Sequence, residues 1–287
     1  MPVLTPEAWT FWEENGYVII PNAVPQENLD RTVDLIWDFL EMDRNNPEAW
    51  YKYKPYTRDD LCSPISEAGM VEVYQHQALW DNRQHPRVYQ AFCEIWGRED
   101  LWVSLDRANM KPPAHADKPD WGHKGMVHWD IDTDQNPIPF MVQGVLYLTD
   151  TAENQGGFQC IPGFHNTFAD WVKTQPEDRH PRLPDLTGLD VKSVSGKAGD
   201  LLIWHSLLAH GNGHNTSDKP RLAQYITMSP AKDDEAMRQD RIEAWQNCRA
   251  ASGWQGDIRG WEAAHQTPAE LTNLGRKLLG VDDWKSG

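Results

Sequence analysis

The chain has 287 residues, with 27 Lys and Arg against 43 Asp and Glu, for a formal net charge of −16. Its length suits one large or two ordinary domains with a sizeable core, and its acidity disfavours nucleic acid or anionic lipid as a partner, since both need a positive surface. The first twenty residues carry Glu7, Glu13 and Glu14 and no Lys or Arg, unlike a signal or transit peptide, and no apolar run approaches the roughly 20 residues that span a bilayer.

Thr5-Pro6-Glu7 predicts a helix start, a cap residue followed by Pro at the first helical position, and Gly16 ends that helix. Tyr17 to Ile20 is a short apolar run suited to a strand. Pro25 opens a second helix carrying Leu29, Val33, Leu35, Ile36 and Leu40, and Val88, Phe92 and Ile95 mark a third over His85 to Trp96. From residue 100 the pattern changes. Short apolar or alternating runs bounded by Gly, Pro, Asn or Asp predict strands at 101–110, 140–148, 158–161, 190–194, 201–205 and 222–228. Helical signals return after Pro230, with a capping box at Thr267-Pro268-Ala269-Glu270 and a closing Gly280.

Helices, then strands, then helices predict a mainly β fold of the α+β class. It is read as a jelly-roll or cupin-like barrel, buttressed by helices at both ends, in a single domain over 1–287. The helical N-terminal part covers about 1–100, the barrel core about 100–230 and a helical C-terminal extension about 231–287. No dinucleotide, P-loop, zincin or nucleophile-elbow motif occurs. Cys62, Cys93, Cys160 and Cys248 form no C-x-x-C pair and read as isolated thiols in a reducing, cytoplasmic setting.

An H-x-D sequence places an imidazole and a carboxylate on one side of an extended chain. With a distant His it completes a 2-His-1-carboxylate triad, which holds non-haem Fe(II) and leaves coordination positions open. With 11 His in the chain about one such tripeptide is expected by chance, and two occur, His115-Ala116-Asp117 and His128-Trp129-Asp130. The first lies among prolines, too punctuated for a strand, so His128 and Asp130 are preferred. For the third ligand, His205 reads as a packed strand residue and His214 as a surface loop residue. His210 sits at the end of an apolar run just before glycines, where a barrel opens. Arg221 follows eleven residues on, across a turn, able to grip a carboxylate with two parallel hydrogen bonds. Alternation puts Met141, Gln143, Val145 and Tyr147 on one face, so Gln143 and Tyr147 are candidate polar groups of the pocket. Trp121, Trp129 and Trp204 lie close to the ligands in sequence and are candidate walls of a substrate site. The stretches 114–125 and 168–190 are candidate lids.

The chain resembles the phytanoyl-CoA dioxygenase family of Fe(II)- and 2-oxoglutarate-dependent oxygenases. The matching phrases run in family order: Asn15-Gly16-Tyr17-Val18-Ile19-Ile20-Pro21, Asn109-Met110-Lys111-Pro112-Pro113, His128-Trp129-Asp130, Asn154-Gln155-Gly156-Gly157-Phe158, Ile161-Pro162-Gly163-Phe164-His165, Gly199-Asp200-Leu201, and His210-Gly211 through Pro220-Arg221. The resemblance implies iron on His128, Asp130 and His210 and the distal carboxylate of 2-oxoglutarate on Arg221. It also implies that Asn109 touches the cosubstrate and Arg107 the substrate. It implies a double-stranded β-helix that consumes O₂, releases succinate and CO₂, and hydroxylates or otherwise oxidises a small molecule. The sequence departs from the family at Val145, where many members carry Trp, and at Phe164 and Asn212, where Ser is usual. Related halogenases lose the acid of H-x-D, so Asp130 argues against halogenation. A metal-binding barrel without turnover is the alternative, which would have no use for Arg221. The sequence shows neither the substrate nor the oligomeric state.

Overall fold

The computed structural model describes residues 2–57 and 60–284. The N-terminal region comprises α1 (Pro6–Asn15), β1 (Tyr17–Ile20), α2 (Gln26–Leu40), β2 (Met70–Val71), α3 (Gln77–Arg83) and α4 (Pro86–Trp96). The barrel region follows as β3 (Leu101–Val103), β4 (Ala108–Lys111), β5 (Val142–Tyr147), β6 (Phe158–Cys160), α5 (Phe164–Trp171), β7 (Lys192–Ser193), β8 (Leu201–His205), β9 (His210–Asn212), β10 (Arg221–Tyr225) and β11 (Met228–Pro230). Helices α6 (Glu235–Gln246), α7 (Trp261–His265) and α8 (Asn273–Leu279) close the chain.

The strands form an antiparallel six-stranded sheet in the order β1-β8-β5-β10-β4-β2, a three-stranded sheet β7-β6-β9, and the pair β11-β3. Two cores follow from the two-residue period of the large sheet. Residues such as Val142, Leu146, Leu201, Ile203 and Leu222 face outward and pack with α2, α3, α4 and the end of α8. Their neighbours Val145, Tyr147, Leu202, Trp204 and Ala223 face inward, toward Phe158 and Cys160 of the small sheet. This is the double-stranded β-helix architecture, with its cavity between the two sheets.

The first helix is capped as its sequence predicts: Thr5 Oγ1 accepts from the Ala8 amide at 3.2 Å, and Gly16 at φ 75° ends it. Elsewhere tertiary contacts shift the boundaries. The strand predicted at 101–110 is two strands. The Ser104 amide donates to the Thr227 carbonyl and the Thr227 amide to Ser104 Oγ, so β3 leaves the main sheet to pair with β11. The helix predicted from Thr267 starts only at Asn273, with Thr272 as its cap. Glu270 is held in extended chain, its amide donating to Gln77 Oε1 and its carbonyl accepting from Gln77 and Gln84. Of the 168–190 stretch considered as a lid, 168–171 is the end of α5, and 179–182 is tied to the segment around Asp130 through Arg182 and Pro181 carbonyls that accept from the Trp129 and Thr133 amides.

Candidate metal centre

His128 and Asp130 lie on an extended segment ahead of β5 that pairs with the start of β9. The His128 amide donates to the His210 carbonyl at 2.8 Å, and the reverse bond is 3.0 Å. Glycine makes that approach possible. A Cβ at Gly211 would meet the Met126 carbonyl oxygen at 2.1 Å, and one at Gly125 (φ +79°) the Asn212 carbonyl oxygen at 1.5 Å. Backbone pairing therefore sets the two imidazoles side by side, with ring centroids 5.0 Å apart.

The donor atoms of His128, Asp130 and His210 lie within 4.8 Å of one another. His128 Nε2 is 3.4 Å from Asp130 Oδ1, and His210 Nε2 is 3.4 Å from Asp130 Oδ2. Each ring's Nδ1 stands 2.9 Å from a backbone carbonyl two residues upstream, Met126 for His128 and Leu208 for His210. With Nδ1 protonated toward that oxygen, Nε2 is left as a lone-pair donor aimed at the common point. Gln143 Nε2 donates to Asp130 Oδ2 at 2.7 Å and orients the carboxylate. Burial opposes ionisation of Asp130. Its bonds to both imidazoles and to Gln143 outweigh burial and hold the carboxyl well below the usual carboxylate range. The hydrogen bond to Asp130 raises the His128 pKa against the opposing effect of burial. His210 is buried, whereas the Asp130 side chain is 49% exposed, so the site opens on the carboxylate side.

Arg221 lies on the inward face of β10, the face that carries Ala223, and is fully buried. Its Nη1 donates to Asn109 Oδ1 at 2.8 Å, while Nε and Nη2 have no partner. A buried guanidinium with two orphaned N–H groups is costly unless an anion arrives, and its fork matches a carboxylate. Asn109 thus positions the guanidinium, its own amide donating to the Ala68 carbonyl. Asn212, one of the departures from the family pattern, donates to the Tyr225 hydroxyl at 2.9 Å, and that hydroxyl lies 3.4 Å from Arg221 Nη1.

Three expected contacts fall elsewhere. Tyr147 faces inward, but its hydroxyl donates to the Val194 carbonyl at 2.9 Å and its ring wedges against Gly196, so that donor is already used. Trp129 does not line the site. Alternation turns it away from its two neighbours into a cluster with Phe164, Phe168 and Trp171, its Nε1 donating to the Leu207 carbonyl. Phe164, the other departure near this point, is the ring stacked on it. Arg107 is already engaged: Nη1 lies 3.3 Å from buried Glu72 and 2.7 Å from the Tyr74 hydroxyl, with Trp254 across the guanidinium at 4.8 Å. Glu72, Tyr74 and Trp254 went unremarked in the sequence because they come from distant segments with no motif. Lys111, buried and paired in register with Arg221, belongs to the Asn109–Pro113 segment, where no spacing rule marks it as a site residue.

The residues present fit an iron ion and a dicarboxylate: two nitrogen donors and one oxygen donor without thiolate, and an unsatisfied guanidinium on the same inward side of the barrel. A jelly-roll barrel with this donor set is a framework shared with solved enzymes that bind iron and α-ketoglutarate. The sequence profile of the phytanoyl-CoA dioxygenase (PhyH) family matches residues 12–223, and the chain belongs to that family. A Dictyostelium discoideum protein described as a phytanoyl-CoA dioxygenase is 26% identical over 276 residues, covering 80% of this chain and 77% of the relative. The ectoine dioxygenase of Bordetella bronchiseptica is 27% identical over 243 residues, 77% of this chain and 76% of its own. Among solved structures, the epimerase SnoN with Fe³⁺, α-ketoglutarate and nogalamycin RO superimposes with a TM-score of 0.56 at 16% identity, covering 93% of this chain and 94% of that one. A Salmonella typhimurium protein described as an oxidoreductase reaches 0.69 at 15% identity, over 96% of this chain and 82% of that one.

Proposed function

We propose that His128, Asp130 and His210 hold the iron, that Arg221 binds the distal carboxylate of 2-oxoglutarate, and that the enzyme hydroxylates a C–H bond of a small organic substrate. Iron, when bound, supplies oxygen activation: O₂ gives one oxygen atom to succinate as 2-oxoglutarate loses CO₂ and the other to the substrate C–H as hydroxyl. The chain's own residues provide position. His128 and His210 present Nε2, Asp130 closes the set under the hold of Gln143, and Asn109 keeps Arg221 turned toward the cavity. The observation that carries this reading is the convergence of three donor atoms within 4.8 Å, in a barrel whose inner face also carries a buried guanidinium with two unpartnered N–H groups.

Oxygen-free loading with Fe(II) and 2-oxoglutarate is expected to show one ion and one cosubstrate per chain. Admitting air should release succinate, and His128→Ala should lose both metal retention and succinate release. Equal succinate from His128→Ala and wild type would sink the assignment. Relatives named dioxygenases support a small-molecule substrate. Among the described residues no helix is long and apolar enough to cross a membrane.

A further inference from the structure

Arg221 has a second buried cation as its cross-strand neighbour. Lys111 is 2% exposed, sits on the inward face of β4 two residues beyond Asn109, and is paired in register with Arg221. Directly opposed like charges are unfavourable on a sheet, the more so when buried. Among the described residues no carboxylate lies within ion-pair distance of either side chain. Lys111 Nζ, among the described residues, donates only to a neutral acceptor, the Gly213 carbonyl, at 2.6 Å. Burial and the Arg221 charge push the Lys111 ammonium down to about 8, as expected of a cation held without its counterion.

The two cations converge. Arg221 Nη1 reaches the Tyr225 hydroxyl, which is bonded to Asn212, and Lys111 reaches the carbonyl of Gly213, the next residue. At about 3.3 Å per residue of extended chain, these residues lie about 7 to 10 Å along the strand from His210. The Asn215 side chain donates to the Lys111 carbonyl and fixes the backbone from which the side chain projects.

We infer that Lys111 is the second cation of the cosubstrate chamber, sharing the distal carboxylate of 2-oxoglutarate with Arg221 and setting the preference for 2-oxo diacids over 2-oxo monoacids. This rests on the cosubstrate reading above. A carboxylate has lone pairs for both donors, and its arrival relieves two desolvated charges together.

Calorimetric titration of Mn(II)-loaded, oxygen-free enzyme tests this without turnover. For Lys111→Met, 2-oxoglutarate affinity is expected to fall at least about tenfold, a conservative fraction of the loss typical when one partner of a buried charge pair is removed. Lys111→Arg should keep most of the affinity, and Mn(II) affinity should be unchanged in both. Binding of 2-oxopentanoate, which has the same chain length but no distal carboxylate, should be equal in wild type and Lys111→Met. Thermal denaturation of the metal-free protein separates a structural role, because a merely structural lysine would lower the melting temperature when removed and would affect both oxo acids alike. Affinity for 2-oxoglutarate within twofold of wild type in both Lys111→Met and Lys111→Gln, with Arg221→Met losing it, would overturn the inference and leave the cosubstrate reading standing. Wild type that fails to bind 2-oxoglutarate would overturn both.

Discussion

The two faces of the large sheet use the same strands for opposite purposes. On β10, Leu222 faces outward against the helices, while Arg221 and Ala223 face the cavity. On β8 and β9 the contrast falls between two histidines five residues apart. His205 is packed against Trp12, Phe140 and His165, and burial among these groups pushes its pKa down to about 4. His210 instead aims Nε2 at a carboxylate. Residue type does not separate them. What does is the partner each strand end meets: His205 ends β8 among aromatic rings, whereas His210 starts β9 of the small sheet, paired with His128.

If the faces are separable, damage to one should spare the other. The largest effect is expected from Phe92→Ala. Phe92 is fully buried on the outer side, lying where a Cβ at Gly144 would approach its ring at 2.9 Å. Its removal should cost about 3–5 kcal/mol of unfolding free energy in a denaturant titration. Metal affinity should stay at the wild-type value, and a parallel loss would break the distinction. Next comes Gln143→Leu, which removes the donor to Asp130 and leaves the outer core untouched. Metal affinity should fall about 10–100-fold, the usual consequence of deleting a group that orients a ligand, with the melting temperature of the metal-free protein nearly unchanged.

The smallest effect concerns pH. With His205 at about 4 when folded and about 6.5 when unfolded, the unfolded chain holds more protons between those values. Its contribution is therefore full above pH 6.5 and declines as pH falls toward 4. Melting temperature should drop from pH 7 to pH 5, and His205→Asn should drop less. An unaltered slope in that variant would assign the acid sensitivity to other partly buried histidines such as His76 and His165, whose pKa values burial also lowers.

Local rules carried the sequence reading as far as local rules decide the structure. The spacing of His128 and Asp130 puts both on one side of the chain, and the competing tripeptide falls away because His115 Nδ1 accepts from the Asp117 amide and its ring lies against Tyr51. The same alternation rule excludes Trp129 from the site, although proximity in sequence made it a candidate. Long-range contacts were not legible. Glu262, far along the chain, accepts from the Tyr74 and Gln75 amides and fixes the segment that carries Glu72 toward Arg107. Two glutamines of the α3 region hold Glu270 out of the helix its capping box favours. The cation pair at Lys111 and Arg221 becomes visible only once the strands are set in register, since 110 residues separate its members.

The anchoring of each imidazole to a carbonyl two residues back has a thermodynamic consequence. Each ring keeps a protein partner at Nδ1 while Nε2 stays free for a ligand, so these contacts restrict the ring rotations that metal binding would otherwise have to freeze.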